Sequence, residues 1–241
     1  MAQSELREMS LSSEQLARIN RVATVARFVS SLAHELNNSL QVMGGVIELL
    51  ADRADLPADV RARIERIGEH ADRASDRIRQ VASFVREPAA AAEQVDLSAV
   101  VERALALRSY ELGRSGIQVE STYPADSCVV RGSARELRQA VLNLLANAQE
   151  ALADAPARAL RVHLARTAGT IRLTVADTGP GVAVDVRERI FEPFYTTRAA
   201  KGALGLGLTV AVQTAAAHGG RLLLERERPG ASFVLELPDA G

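Results

Sequence analysis

The sequence has few cysteines and few aromatic residues. The first scarcity excludes disulfide-stabilised and thiolate-metal proteins, and the second argues against an all-β core. Cys128 is the only cysteine among 241 residues. The chain therefore has neither a disulfide framework nor a thiolate metal cluster, and we expect Cys128 to be a small buried strand residue. Aromatic residues account for 3% of the chain, with no tryptophan, against 47% hydrophobic residues. This balance favours packed helices over an all-β core.

A long apolar run, a basic leader and an excess of either charge are also missing. The longest apolar run, 203–212, is far shorter than a membrane span, and the first residues lack the regions of a secretory signal. The net charge is −1, which gives no general attraction to nucleic acid or acidic lipid. We therefore expect a cytoplasmic protein with no nucleic-acid partner and no direct membrane contact.

The first third of the chain predicts two long helices. A capping box at Ser12 and Gln15 places the start of the first helix near residue 12, and the helix runs to about Asp52. Its apolar residues recur every seven positions, with others three or four later, which predicts the seam of a helix packed against other helices. The predicted seam comprises Val22, Val25, Val29, Leu32, Leu36, Met43, Val46 and Leu50. Pro57 suits the first turn of a second helix, which a three-four apolar alternation carries to Val85.

Packing alone favours a homodimer. Two helices joined by a short loop bury one stripe each and leave much of it in water, and pairing two such hairpins into a four-helix bundle buries the rest. A hairpin folded onto its own second domain is the alternative, and so continuous a seam makes it the weaker one. Pro88 ends the second helix. We therefore divide the chain into a tail (1–11), a dimerising hairpin (12–87), a linker (88–95) and a second domain (96–241).

Helices alternate with strands in this second domain. Asp96 and Ser133 are N-cap candidates, and Gly169 and Pro229-Gly230 mark hairpin turns. The predicted helices cover 97–112, 134–152 and 208–218, and the predicted strands cover 117–121, 127–131, 160–164, 171–175, 222–226 and 232–237. Helices and mostly antiparallel strands in this order predict a two-layer α/β sandwich.

His34 is the first candidate for chemistry. It lies two positions past Leu32, off the predicted seam, with Glu35 beside it and Asn38 one turn along its own face. An imidazole that faces water on a rigid helix is well placed to act as a nucleophile. A plain surface histidine on an amphipathic helix explains the same pattern.

Two polar groups in the second domain stand out from their surroundings. Asn143 and Asn147 lie at i and i+4 in a strongly apolar helix, where they belong either to a structural hydrogen-bond network or, through their amide oxygens, to a Mg²⁺ that bridges phosphates. Asp177 follows a strand and precedes Gly179 and Gly181. These glycines either make a tight turn or let the backbone approach a flat ring, with Asp177 accepting a hydrogen bond from an amine such as that of adenine.

A glycine-rich run from Lys201 to Leu208 leads into a predicted helix. Free N–H groups and the helix dipole attract phosphate at such a terminus. Lys201 is the only lysine of the chain, and it would place a compact ammonium beside the phosphate, although chance would also put a single lysine somewhere.

These motifs together resemble one family. His34-Glu35-Leu36-Asn37-Asn38 resembles the phosphoacceptor motif of sensor histidine kinases, the autophosphorylating half of two-component systems. The Asn-x-x-x-Asn, Asp-x-Gly-x-Gly, Phe-x-x-Phe and Gly-x-Gly runs, in this order, resemble the catalytic ATP-binding domain of the same family, whose fold is shared with gyrase-type ATPases. The resemblance covers about residues 20–238. It implies a multidomain α and α+β protein, in which a dimerising helical hairpin precedes a two-layer α/β sandwich.

The resemblance also implies roles for individual residues. Asn147, supported by Asn143, would hold Mg²⁺, and Asp177 would read the adenine amine of ATP. His34 would attack the γ-phosphate, and Glu35 would fix the tautomer of the imidazole or take its proton. The other residues implied to shape the nucleotide pocket, to lie near the phosphates or to anchor the lid are Gly179, Gly181, Phe191, Phe194, Thr196, Thr197, Lys201, Gly202, Gly205, Leu206 and Gly207.

The family passes its phosphoryl group to an aspartate on the receiver domain of a separate response regulator. The resemblance therefore implies such a partner, and it implies that Asn38 orients the water that dephosphorylates the regulator. A plain surface polar role explains Asn38 equally well.

Three positions depart from the family pattern. Ser39 stands where proline usually follows the asparagine, Ala203 replaces the first glycine of the lid, and Arg198 stands where lysine often follows the Thr pair. These changes bear on helix bending and lid motion rather than on groups that do chemistry.

Two other functions remain open. One is a dimeric phosphotransfer scaffold whose second domain no longer binds ATP, although such proteins lose the glycines that this chain keeps. The other is a gyrase-like ATPase that acts on a non-histidine substrate, which would leave His34 and Glu35 without a purpose.

Overall fold

The computed structural model describes residues 13–53, 55–85, 93–198, 203–226 and 230–241. The chain divides into two compact units, Met1–Glu87 and Pro88–Gly241. Within the described residues, no helix combines the length and the apolarity needed to cross a bilayer.

The first unit is a helical hairpin made of α1 (Ser13–Ala51) and α2 (Ala58–Val85). The predicted cap at Ser12 lies outside the described residues. Arg61 of α2 donates hydrogen bonds to the carbonyls of Ala51 and Arg53 at the end of α1, a common way to satisfy the last carbonyls of a helix. In the loop, the Arg53 guanidinium lies 2.6 Å from the carboxylate of Asp55 and holds the pKa of that carboxyl below its ordinary value.

Apart from Val29, the strip of α1 that is buried or half-buried does not use the predicted seam. Ala33 of α1 is buried, and a Cβ at Gly68 of α2 would lie 3.2 Å from Ile47 of α1. The strip of α1 that is buried or half-buried comprises Val29, Ala33, Asn37, Leu40, Gly44, Ile47 and Ala51. Most of the predicted seam is exposed in the single chain: Leu32 by 45%, Leu36 by 43%, Met43 by 48%, Val46 by 52% and Leu50 by 37%. The side chains of Val22 and Val25 lie outside the described residues.

That heptad pattern therefore marks a second apolar face of α1, beside the one that α2 covers. Here we call it the open stripe, defined by Leu32, Leu36, Met43, Val46 and Leu50. A single seam was expected because one periodicity cannot distinguish two adjacent faces of the same helix.

The second unit contains two sheets and three α-helices among its described residues. In chain order these are β1 (Glu93–Asp96), α3 (Leu97–Arg114), β2 (Gln118–Thr122), β3 (Val129–Gly132), α4 (Ala134–Leu152), β4 (Ala159–Thr167), β5 (Thr170–Asp177), α5 (Gly207–Ala217), β6 (Arg221–Arg226) and β7 (Ala231–Pro238). Two 3₁₀ turns, Val184–Val186 and Arg189–Phe191, lie between β5 and α5.

The main sheet has five strands in the order β2-β4-β5-β7-β6, and β1 pairs with β3 separately. Along β4, buried Leu160, Val162 and Leu164 alternate with exposed Arg161 and His163, as expected where one face of a sheet is covered by helices. The buried face joins apolar residues of α3, α4 and α5 in one core. This arrangement confirms the predicted helical region followed by an α/β sandwich.

Two helices of the second unit, α3 and α4, start at local side-chain signals. Asp96 accepts a hydrogen bond from the backbone N–H of Ser98, and Ser133 accepts one from that of Glu136, which confirms both predicted N-caps. The N–H of Ser133 itself donates to Nε2 of His218, while Nδ1 of that ring lies 2.7 Å from the Thr214 carbonyl. Nδ1 therefore carries the proton, and the ring ties the start of α4 to the end of α5.

The main sheet is mostly antiparallel, as predicted, with one parallel pair, β2 with β4. Two details of the second unit differ from the predictions. The predicted linker 88–95 ends early, because Glu93–Asp96 forms β1; residues 88–92 lie outside the described residues. Cys128 is fully buried, but it immediately precedes β3 rather than lying in it. Burial raises the pKa of its thiol.

Candidate functional site

His34, Glu35 and Asn38 are all exposed on α1. The helix runs without interruption through Ser39, whose hydroxyl donates a 3.1 Å hydrogen bond to the Glu35 carbonyl. That carbonyl would lose its helical partner if residue 39 were proline, so the serine at this position keeps the α1 hydrogen-bond ladder continuous. The imidazole of His34 is open to solvent, on the side of α1 away from the open stripe.

A stripe of polar side chains runs along α4. Gln139, Asn143, Asn147 and Glu150 follow one another at intervals of four, four and three residues, so they share one face of the helix. The neighbouring Leu144 and Leu145 are fully buried. The amphipathic helix therefore presents its apolar side to the core and this polar stripe to the loops that follow β5.

Asn143 has two hydrogen-bond partners within the protein. It is only 4% exposed, its Nδ2 donates to the Gly207 carbonyl, and its Oδ1 accepts from Nε2 of Gln139, each at 3.1 Å. This is the structural network that the sequence left open as an alternative. Asn143 thereby ties α4 to the first residue of α5. Its oxygen accepts one hydrogen bond and keeps a second lone pair, so its role beside a metal ion stays a prediction.

Asn147 is different. Its side chain is half-buried and makes no hydrogen bond with the described part of the chain. Three segments contact α4 around it: Gly207 at Asn143, Arg198 at Glu150, and Gly179 at Ala151. The carboxamide of Asn147 therefore lies within a ring of loops, with its polar atoms available to a ligand.

The loop after β5 is held by Asp177, which is 2% exposed. Its Oδ1 accepts a 2.8 Å hydrogen bond from Gly179 N–H and a longer one, 3.4 Å, from Ala231 N–H. A Cβ at Gly179 would lie 2.9 Å from the Ala151 carbonyl, and one at Gly181, which has φ of +75°, would lie 2.8 Å from the Gly230 carbonyl. Both glycines therefore permit backbone contacts that a side chain would prevent.

Phe191 anchors the next segment of the loop. Its ring meets Phe233 edge to face with centroids 6.4 Å apart, and its carbonyl accepts a hydrogen bond from the hydroxyl of Thr209. Phe194, expected to act as a second anchor, is instead 66% exposed and has φ of +64°. Its backbone N–H fixes the chain through a 3.1 Å hydrogen bond to the Gly205 carbonyl.

The remaining predicted site residues fall into two groups. Thr196 accepts a hydrogen bond from the N–H of Arg198, Thr197 is exposed, and Leu206 is buried. Lys201 and Gly202 lie outside the described residues.

Two contributors were missed at the sequence level. Gln139 supports Asn143, and Glu150 forms an ion pair with Arg198. Gln139 lies four residues before Asn143 and Glu150 lies three residues after Asn147, so extending the same helix face by one turn in each direction would have found them. No group of three or more His, Cys, Asp or Glu side chains suited to a metal occurs among the described residues.

An open groove of about 520 Å³ lies elsewhere on the second unit and contains none of these residues. It is lined by Gln94, Arg131, His218, Pro238, Asp239 and Ala240.

The geometry around Asn147 fits a nucleotide with its metal ion. A free amide oxygen is a suitable ligand for Mg²⁺, which keeps most of its coordination for water and phosphate. The glycine contacts at positions 179 and 181 lie beside the buried carboxylate of Asp177, a group that suits a purine amine. The backbone N–H groups at the start of α5 would suit an anion.

Two family models match the chain. The one described as "His Kinase A (phospho-acceptor) domain" matches residues 24–89, which contain His34. The one described as "Histidine kinase-, DNA gyrase B-, and HSP90-like ATPase" matches residues 132–241, which contain Asn147, Asp177 and the glycine-rich loop.

Curated relatives match over nearly the whole chain. The two-component sensor PprA of Pseudomonas aeruginosa is 36% identical over 234 residues, which cover 93% of this chain and 25% of PprA. The C4-dicarboxylate transport sensor protein DctB of Rhizobium meliloti is 33% identical, with 94% of this chain and 37% of DctB covered. The chain thus spans well under half the length of these two relatives.

Solved structures agree with both sets of matches. The structure of full-length ShkA in complex with AMPPNP has a TM-score of 0.67 and 28% identity, and it covers 89% of this chain and 46% of ShkA. The mycobacterial sensor histidine kinase MprB has a TM-score of 0.53 and 30% identity, with 61% of this chain and 97% of the MprB chain covered.

Proposed function

Because this chain belongs to the sensor histidine kinase family, we propose that it is an ATP-dependent protein histidine kinase that phosphorylates its own His34. The observation that carries the proposal is that one chain contains both an exposed imidazole, in the first unit, and Asn147, in the second unit, whose side chain has no hydrogen-bond partner among the described residues. Each unit supplies what the other lacks, a nucleophile in one and a nucleotide site in the other.

The second unit would bind the nucleotide through residues of α4 and the following loops. Asp177 accepts hydrogen bonds and is suited to the adenine amine, and the glycines at 179 and 181 allow the ring to approach. Asn147 would hold Mg²⁺ through its amide oxygen, while Asn143 keeps α4 and α5 in position. When bound, Mg²⁺-ATP supplies the γ-phosphoryl group and a divalent charge that neutralises the phosphates.

His34 would act as the nucleophile. A bond forms between a ring nitrogen of His34 and the γ-phosphorus. The bond from that phosphorus to the β,γ-bridging oxygen breaks, and ADP leaves with the electron pair of the broken bond. Glu35, exposed next to His34, accepts the proton that the imidazole releases or holds the other ring nitrogen in the required tautomer. Both side chains lie on a continuous helix, which limits the cost of orienting them.

The hairpin would form a homodimer. The open stripe leaves five large apolar side chains of α1 between 37% and 52% exposed in one chain. A contiguous apolar face of this kind on a helix indicates an interaction site, and a second copy of the hairpin would complete a four-helix bundle.

The acceptor of the phosphoryl group would be an aspartate on the receiver domain of a separate response regulator, in keeping with the two-component sensors to which the chain is similar. We also propose that exposed Asn38 orients water for dephosphorylation of that regulator. Because the cytoplasm supplies ATP and Mg²⁺, we place the reaction there.

Incubation with γ-labelled ATP tests the proposal. We expect the protein to acquire a label that is labile in acid and stable in alkali, and we expect His34→Gln to abolish it. His70→Gln, which changes another exposed histidine of the same unit, should leave the label unchanged. Labelling of His34→Gln would exclude His34 as the acceptor, and a wild-type protein that fails to bind ATP would favour the phosphotransfer scaffold.

A further inference from the structure

The polar stripe of α4 ends in a charged residue that has no role in the function proposed so far. Glu150 lies three residues beyond Asn147, on the same face of the helix. Its Oε2 is 3.2 Å from Nη1 of Arg198, a residue 48 positions further along the chain. The Arg198 side chain is 29% exposed and that of Glu150 is 54% exposed, so the ion pair lies at the rim of the candidate site rather than in the core.

The backbone that carries Arg198 is itself fixed. Its N–H donates a 3.0 Å hydrogen bond to the hydroxyl of Thr196. Four residues before Arg198, the N–H of Phe194 donates to the Gly205 carbonyl, so the two ends of the loop 194–205 are joined by the backbone. The guanidinium therefore extends from a defined position, and Glu150 sets where it points.

Arginine can serve two acceptors in this place at once. A guanidinium carries five N–H donors in a planar fork, whereas a lysine ammonium is a single compact charge. Glu150 contacts Arg198 through one nitrogen, Nη1. The other N–H groups make no hydrogen bond within the described residues, so they can contact a second anion while the ion pair persists.

The ion pair of Glu150 with Arg198 also changes the charge that a phosphate would meet beside Asn147. A lone carboxylate one turn from Asn147 would repel a triphosphate held there, because like charges at a few ångströms repel strongly in a partly desolvated site. Paired with Arg198, the same carboxylate is neutralised and the pair as a whole can accept phosphate.

We propose that Glu150 is a positioning residue for ATP, which holds the Arg198 guanidinium at the rim of the Asn147 site so that its free N–H groups contact the phosphates. The inference rests on the proposed nucleotide binding and adds to it a role for the arginine found where the family often has lysine. Glu150 does not touch the nucleotide in this proposal, and all of its effect passes through Arg198.

Calorimetric titration of the full chain with ATP and with adenosine tests this role. We expect Glu150→Ala to raise the Kd for ATP about threefold to tenfold, in keeping with a partly exposed ion pair, and to leave the Kd for adenosine unchanged, since adenosine has no phosphate. Glu150→Gln keeps an acceptor oxygen and should recover part of the loss. Glu102→Ala, on the exposed face of α3, is the matched control and should bind ATP as the wild type does.

The double variant decides whether Glu150 acts through Arg198. Arg198→Ala should weaken ATP binding at least as much as Glu150→Ala, and the double variant should be no weaker than Arg198→Ala alone, as required of residues in one interaction. Unchanged or tighter ATP binding by Glu150→Ala overturns the proposal, as do additive effects in the double variant. An equal rise in the Kd of Glu150→Ala for adenosine would show that Glu150 has only a structural role, and it would also overturn the proposal. A wild-type protein that binds adenosine and ATP equally contradicts the phosphate contact, whereas one that binds neither contradicts the nucleotide site itself.

Discussion

Single glycines determine how closely the loops around Asn147 approach α4 and one another. Gly205 has φ of +67°, and a Cβ there would overlap the Tyr195 carbonyl. Gly179 lacks the unusual dihedral, but a Cβ would lie 2.9 Å from the Ala151 carbonyl. At Gly205, both the left-handed backbone and the short distance to a carbonyl exclude a side chain. At Gly179, only the short distance to a carbonyl does.

We expect Gly205→Ala to weaken ATP binding about tenfold or more. A left-handed backbone costs a non-glycine residue about 1–2 kcal/mol. The overlap of the new Cβ with the Tyr195 carbonyl would also break the hydrogen bond between the Phe194 N–H and the Gly205 carbonyl. Titration with ATP measures the effect.

The matched control for this substitution is Gly113→Ala. Gly113 lies in α3, where a Cβ meets nothing within 4 Å, so ATP binding should be unchanged and the free energy of unfolding should rise by about 0.5–1 kcal/mol. Wild-type affinity in Gly205→Ala would show that the loop closure at Phe194 is not needed for the nucleotide.

At the scale of helices and strands, one arginine joins the ends of two helices. The guanidinium of Arg158 donates to the carbonyl of Ser115, which follows α3, and to those of Ala153 and Ala155, which follow α4, over distances of 2.8 to 3.4 Å. These carbonyls have no partner within their helices. Arg158, one residue before β4, therefore caps the ends of both helices.

Arg158→Met should lower the free energy of unfolding of the second unit by about 1–3 kcal/mol, since it removes charged hydrogen bonds to carbonyls at two helix ends. Methionine keeps most of the apolar length of the side chain, so loss of packing is small. Urea unfolding followed by circular dichroism measures the change. Arg103→Met, on the exposed side of α3, should change stability by less than about 0.5 kcal/mol, and an equal effect of both variants would rule out the capping role.

Features that are decided by neighbouring residues could be predicted from the sequence. Features that depend on residues far apart in the chain could not. The N-caps at Asp96 and Ser133 could be found because a cap is decided within four residues. The strand β1 could not, because Glu93–Asp96 becomes a strand only through its pairing with Val129–Gly132. In the candidate site, Asn147, Asp177 and the glycines were predicted from their motifs. The ion pair of Glu150 with Arg198 and the exposure of Phe194 depend on residues far apart in sequence.

At the scale of the whole molecule, the proposed chemistry is divided between two compact units. The candidate nucleophile lies in the unit that ends at Glu87, and the proposed nucleotide site lies in the unit that begins at Pro88. Because each unit is compact by itself, a substitution in one unit tests that unit's own role. The open stripe belongs to the first unit alone, so substitutions within it should change assembly while leaving nucleotide affinity intact.

The open stripe gives the sharpest test of assembly. Met43 and Val46 are 48% and 52% exposed in the single chain, and a dimer through this face would bury both. Met43→Glu with Val46→Glu would then place unpaired charges in an apolar interface, at a cost of several kcal/mol that a hairpin bundle cannot offset. We expect light scattering to show half the wild-type mass for this variant, with an unchanged Kd for ATP.

Gln41→Glu, one heptad past His34 and exposed, adds charge on the opposite side of α1 and should keep the wild-type mass. If the double variant also keeps that mass, the dimer does not form through the open stripe.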